Sequence, residues 1–360
     1  AWESACVNFD TETRSMESRC DALFLPWSEL AAEGYQPPES VPEAVRLGTF
    51  EVNLSQVPGG VSEDSRLQAG TGLMSMPAIL PFPDRVSLLL EADREGRDAA
   101  VGVLQTAMLR LLTSVPAGKL RLTIIDPVGL GDNFSAFMHL ADFDELLVSG
   151  RIWTESSQID RQLANLTEHM ENVFQTYLRN QFATIEEYNA YAGEVAEPYH
   201  VLVVASFPVN FSDNAVRRLL SIASSGARCG VYTLVSIDTR QQMPHNFDLE
   251  DLRAHANNLV WTGDTFSWRD PDMAWLPLSL ERPPEPAEFV KIVRNVGEYA
   301  RDTRRVEVPF ERIAPDRSEY WSRDSRRSLD VPLGRAGATK LQDLHLGSGT
   351  SQHVLIAGKT

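Results

Sequence analysis

Cysteine is scarce in this chain. Cys6, Cys20 and Cys229 are the three present in 360 residues, widely separated and without a C-x-x-C pair. Neither a zinc site nor a dithiol redox motif is suggested, and reduced thiols in a cytoplasmic protein are expected. Long apolar runs are missing too. None approaches the ~20 residues that span a bilayer, so no membrane contact is expected of this segment. The seven histidines form no H-E-x-x-H and no pair at ligand spacing, so no metal is expected. Ser206 follows an apolar run but lacks a G-x-S-x-G elbow, which removes hydrolase chemistry at that serine. Basic residues fall short of acidic ones, 33 against 50, for a net charge of -17. That argues against a broad nucleic-acid-binding face and favours solubility and protein partners.

What is present is ordinary for a globular protein: 43% hydrophobic and 23% charged residues, in a chain long enough for two or three domains. Residues 1–30 are polar, carry two cysteines and read as a ragged entry segment or the tail of a longer upstream helix. Val45 to Leu54 is strand-like, Pro58-Gly59-Gly60 marks a turn, and residues 73–83 are an apolar, proline-interrupted approach to the next strand. From residue 85 strands and helices alternate. Val86 to Leu90, Leu120 to Ile125, Val201 to Val204 and Gly230 to Ile237 read as buried strands. Ala99 to Leu112, Ile159 to Tyr191 and Ala215 to Ser224 read as helices. This order predicts an α/β fold, a parallel sheet covered by helices, with a small β-rich module in front. Residues 266–330 are read as a solvated connector with one helix near Ala287 to Asp302. In it, eight arginines between 301 and 327 are nearly cancelled by six acidic residues. Strands are expected to resume around Val331 and Val354. The division is 1–79 lead-in and β-rich module, 80–265 first α/β domain, 266–345 linker, and 346–360 the start of a following domain.

The last eight residues, His353 to Thr360, are an apolar run closing in Gly-Lys-Thr. A complete phosphate-binding loop reads G-x-x-x-x-G-K-[ST]. The residue five before Gly358 is His353, not Gly. Gly358, Lys359 and Thr360 therefore do not close such a loop, and are read as opening one that continues beyond residue 360.

Four segments in order carry a resemblance. They are Leu120 to Pro127, a strand ending in Asp-Pro; His169-Met170-Glu171 with Glu187-Tyr188-Asn189; Ala227 to Ser236; and Pro332-Leu333-Gly334-Arg335, Asp343-Leu344 and His353 to Thr360. Together they resemble the FtsK/SpoIIIE-type ATPases of the HerA–FtsK superfamily, over about residues 45–360. The resemblance implies a RecA-like P-loop fold, ATP and Mg²⁺ as cofactors of the full-length protein, and a ring oligomer, commonly a hexamer, that moves double-stranded DNA. A related branch, the type VII secretion ATPases, moves protein and carries tandem ATPase domains.

The departures from that pattern are equally informative. Aligned on the family, the first phosphate loop falls on Asp93 to Ala100. Asp93, Gly96, Asp98, Ala99 and Ala100 hold the key positions, with Ala99 and Ala100 where Lys and Ser/Thr would bind phosphate and Mg²⁺. Asp93, Glu95 and Asp98 add charge of the wrong sign for polyphosphate. The Walker B acids fall on Ala205 and Ser206, and the sensor position on Thr239, followed by Arg240. These losses imply a degenerate, non-hydrolysing domain at 80–265 that scaffolds or regulates. No nucleotide is expected in this segment, and its own downstream ATPase domain is its first partner. A purely structural interaction module is the remaining alternative. Asp126 reads as a turn residue, Arg97 and Arg240 as solvated or paired side chains, and Trp153, Trp261, Trp268, Trp275 and Trp321 as packing residues.

Overall fold

The computed structural model describes residues 2–56, 60, 62–67, 73–179, 181–245, 247–303, 313–315, 317–322, 324–326, 328–336, 340–347 and 353–354. They fall in two compact units, Ala1–Ile185 with Pro198–Arg304, and Glu186–Glu197 with Arg305–Thr360. The first unit opens with α1 (Trp2–Leu23), α2 (Trp27–Leu30), β1 (Ala44–Asn53) and β2 (Leu73–Pro81). It continues through β3 (Leu88–Ala92), α3 (Arg97–Ser114), β4 (Leu120–Ile125) and α4 (Ser156–Val173). After α5 (Ile185–Ala192), which runs into the second unit, come β5 (Tyr199–Phe207), α6 (Asp213–Ser225), β6 (Val231–Asp238), α7 (Leu249–Arg253), β7 (Asn257–Trp261), β8 (Phe266–Trp268), β9 (Leu278–Leu280) and α8 (Pro286–Thr303).

The uninterrupted apolar runs of β3 and β5 can be satisfied only in a sheet covered on both faces. They lie inside a six-stranded sheet of order β4-β5-β6-β3-β7-β8. Its strands are parallel except β8, which pairs antiparallel with β7. Every residue of β3 is buried, and so is every residue of β5 except His200. This is the α/β sheet that the strand–helix alternation predicts.

α3 is apolar almost all round, with Leu104, Met108, Leu109 and Leu111 fully buried. Such a helix needs cover on several sides. It packs against β3, β5 and β6 of the large sheet and against β1 of a second sheet of order β2-β1-β9. β9 approaches β1 so closely that a Cβ on Gly48 would stand 2.2 Å from the Ser279 carbonyl oxygen. Arg110 of α3 is buried at 2% exposure. Its guanidinium makes a two-point ion pair with Glu281 just beyond β9, donates to the Leu25 carbonyl at 2.8 Å and lies 3.9 Å over the Trp27 ring. One buried cation thus ties the lead-in and the small sheet to the α/β domain.

Several elements differ from the sequence reading. The lead-in follows the helical of its two readings and is not ragged: it forms a 22-residue helix, α1, with no buried residue. Without a buried face it has little amphipathic signal to read. The helical region 159–191 is interrupted. α4 ends in a π-turn, Phe174–Leu178, and helix resumes only at α5. β8 and β9 lie within the stretch read as connector. Each has three residues, too few for a period-two pattern, and exists because a longer strand offers it an edge.

In the second unit, β10 (Leu329–Ala336) and β11 (Lys340–Leu346) form an antiparallel hairpin. It sets Pro332 of the Pro-Leu-Gly segment opposite Asp343, and Val331 opposite Leu344. The Asn189 side chain bonds the backbone of Glu197 in both directions, at 2.9 and 2.8 Å. His353 and Val354 are in no strand, and Gly358, Lys359 and Thr360 lie outside the described residues.

Candidate functional site

In a parallel α/β sheet the functional crevice lies at the carboxyl ends of the strands. Here β6 separates β3 from β5, and the loops after all three meet. Asp93, Arg97 and Ala100, from the end of β3 and the start of α3, share one cleft with Ser206 of β5 and Ser236 and Asp238 of β6. The two segments aligned to the phosphate loop and to Walker B, more than a hundred residues apart, are thus brought together. Asp98 and Ala99 sit on the first turn of α3, and Ala205 is fully buried beside Ser206.

The loop itself is a tight turn. Asp93 Oδ1 accepts from the backbone N–H groups of Glu95 at 3.0 Å and Gly96 at 3.2 Å. Aspartate followed by free amides two and three residues on closes readily in this way. Asp93 Oδ2 accepts from Arg240 Nη2 at 3.0 Å. The Gly96 amide, with that of Glu95 and the Arg240 guanidinium, holds the Asp93 carboxyl below its usual value. Both amides are therefore taken by a carboxylate of the same chain.

Gly96 is committed to packing. A Cβ there would fall 2.5 Å from Cγ of Trp261, so the indole covers the turn. Trp261 also meets Phe266 edge-on at 5.3 Å.

Across the cleft, Ser206 holds a left-handed backbone, φ 61°, in a bulge between β5 and β6, and its N–H donates to Ser236 Oγ at 2.9 Å. Thr239 N–H donates to the Ala92 carbonyl at 2.9 Å, drawing the end of β6 onto β3. Arg240 is directed within the chain, onto Asp93. The remaining free space is about 10 Å³, room for roughly one water molecule.

Asp126, at the end of β4, is fully buried. Its Oδ1 accepts from the Gly129 N–H at 2.9 Å, so it caps the following turn. Burial pushes its carboxyl up, against the hydrogen bonds of the Gly129, Gly131 and Asn133 groups that pull it down. Among the tryptophans, Trp153 stacks with Arg151 at 4.7 Å, Trp268 meets Phe50 at 5.8 Å, and Trp275 donates to the Asp272 carbonyl at 2.8 Å. Trp153 and Trp268 are buried packing residues, whereas Trp275 is half exposed and Trp321 fully exposed, which corrects the packing expectation for those two.

One juxtaposition escapes sequence spacing. His169 of α4 and His200 of β5 stack with ring centroids 4.1 Å apart and planes at 27°. Their ring nitrogens lie within 4.8 Å of one another, which corrects the expectation that no two histidines approach ligand spacing. Two imidazoles supply half of a tetrahedral set, and no metal is assigned to them. Burial, then His169, then Arg121, keep His200 well below its ordinary value of 6.5. The unfolded chain therefore binds the extra proton first. Stability should be fully present above about pH 6.5 and fall as pH drops below it. Urea unfolding of the parent and of His200→Gln checks this. The parent should lose more stability than the variant between about pH 7 and 5, and parallel profiles would remove His200 as the cause.

The first unit is thus an α/β domain of RecA-like fold whose turn after β3 is closed by its own Asp93. No protein-family model and no curated protein matches the chain. Solved structures do. EssC (ATPases 2 and 3) from Geobacillus thermodenitrificans is similar with a TM-score of 0.52 at 13% identity, over 87% of this chain and 60% of that one. The cytoplasmic domain of the Thermomonospora curvata Type VII Secretion ATPase EccC is similar with a TM-score of 0.51 at 16% identity, over 88% of this chain and 40% of that one. At these identities the likeness concerns the fold. This chain spans less than two thirds of either structure's length.

Proposed function

We propose that this chain is the non-hydrolysing front part of a larger ATP-driven translocase, its α/β domain serving as scaffold or regulator. The seating of the Asp93 carboxylate on its own loop amides carries this reading. Ala99, Ala100 and Ala205 stand where a phosphate lysine, a magnesium hydroxyl and a metal-organising acid belong. A space of about 10 Å³ is far below what a nucleotide fills. These residues do not fit Mg–ATP, and no catalytic step is assigned to them. Nucleotide and Mg²⁺ would be held by a following domain that Gly358, Lys359 and Thr360 would open.

Among translocases, protein handling is favoured over DNA. Two of the similar structures are EssC and EccC ATPases, and a net charge of -17 suits a protein partner better than a polyphosphate one. Double-stranded DNA, implied by the FtsK/SpoIIIE motifs, is the second reading, and a ring oligomer is common to both.

Calorimetric titration of Mg–ATP into the 360-residue chain should give no binding heat at millimolar nucleotide. A variant with Asp93→Gly, Ala99→Lys and Ala100→Ser should still release no phosphate, because Ala205 and Ser206 remain. Micromolar ATP binding by the parent, or turnover by the variant, would overturn the reading.

A further inference from the structure

We infer that the cleft beside the π-turn after α4 docks an acidic peptide segment carrying a large apolar side chain. The π-turn, Phe174–Leu178, leaves Phe174 41% exposed. With buried Leu178 and half-buried Phe182 it floors a cleft of about 530 Å³, rimmed by Arg179, Gln181 and Arg228. That volume is in the range of ligand sites, roughly 300–1,000 Å³.

The charge arrangement selects the occupant. Arg228 donates from Nε to the Ala183 carbonyl at 3.2 Å, with its guanidinium carbon 5.7 Å from the Phe174 ring centroid. Arg179 reaches only the neutral Gln175 side chain, at 3.5 Å. Among the described residues neither arginine has a carboxylate partner, in a chain carrying 50 acidic residues. Each exposed guanidinium can therefore take a carboxylate in two-point fashion. The apolar floor between them gains by covering Phe174, at roughly 25 cal/mol per Å² of apolar surface removed from water. The acidic remainder of the protein opposes an acidic partner only within a Debye length of about 8 Å at physiological salt.

The test is fluorescence anisotropy with a labelled short peptide in which glutamates flank a Leu-Phe core. Micromolar, salt-sensitive binding is expected. It should weaken about tenfold or more in Arg179→Gln and in Phe174→Ser, two positions on the exposed face of the turn, with each variant's urea midpoint measured beside the binding. A peptide with lysine for glutamate should not bind. The proposal is overturned by no binding at millimolar protein, by equal binding of the lysine peptide, or by variants that bind as the parent does. Binding of phosphatidylglycerol vesicles in place of the peptide would also overturn it. The outcome is independent of nucleotide binding at the Asp93 loop.

Discussion

Replacing Arg110 by Ala is expected to destabilise the fold by about 3–5 kcal/mol, the usual cost of removing one partner from a buried ion pair. Arg110 is 2% exposed and Glu281 is 19% exposed at the side chain. The variant would leave the Glu281 carboxylate without its partner, strand the Leu25 carbonyl, and remove the cation from the Trp27 ring. Contacts that join the small sheet to α3 would fail first, so β1, β2 and β9 should lose amide-exchange protection ahead of β5 and β6. Arg110→Met combined with Glu281→Leu should recover most of the loss, because two well-packed apolar groups replace a buried pair at little cost. Urea unfolding measures both. A loss below about 1 kcal/mol in Arg110→Ala would mean that the pair is a surface-like contact and that the small sheet is held by apolar packing alone.

The second large effect is expected at Glu91, on β3 two residues before Asp93. Glu91 is 5% exposed, and Arg253 grips it at two points, 2.8 and 2.6 Å, while Arg269 adds a contact at 3.1 Å. The Glu91 hydrogen bonds hold the Arg253 guanidinium above its usual value. Glu91→Ala leaves two guanidinium groups facing one emptied site, again at about 3–5 kcal/mol. Arg253→Lys keeps the charge but loses the planar two-point geometry, and should cost less than Glu91→Ala. Equal losses for both would show that charge alone, and not the fork, matters here. Because β3 carries the Asp93 turn, Glu91→Ala should also loosen the turn, read as faster exchange of the Glu95 and Gly96 amides.

Much of the large sheet was legible beforehand. Leu88 to Leu90 and Val201 to Val204 are continuous apolar runs that only a two-faced sheet can bury, and Leu120 to Ile125 reads as the next strand. The helix after β3 showed its spacing through Val103, Leu104, Ala107, Met108 and Leu111. Residues aligned to two distant motifs, Asp93 to Ala100 and Ser206, line one cleft, a juxtaposition that only the sheet order produces. The small sheet was only partly legible. Gly48 looked like an interruption of a strand, whereas it is the point where β9 comes within contact of β1.

The sequence by itself determined the α/β order and the acidic balance of the chain. Each follows from local pattern or residue chemistry, which needs no knowledge of neighbours. Only the tertiary structure decided that Asp93 occupies the loop amides, that Arg240 turns inward to it, that His169 stacks on His200, and that Arg110 binds Glu281 across 171 positions. Those are contacts between distant segments. Their existence depends on how strands are ordered in the sheets, which no local period or propensity encodes.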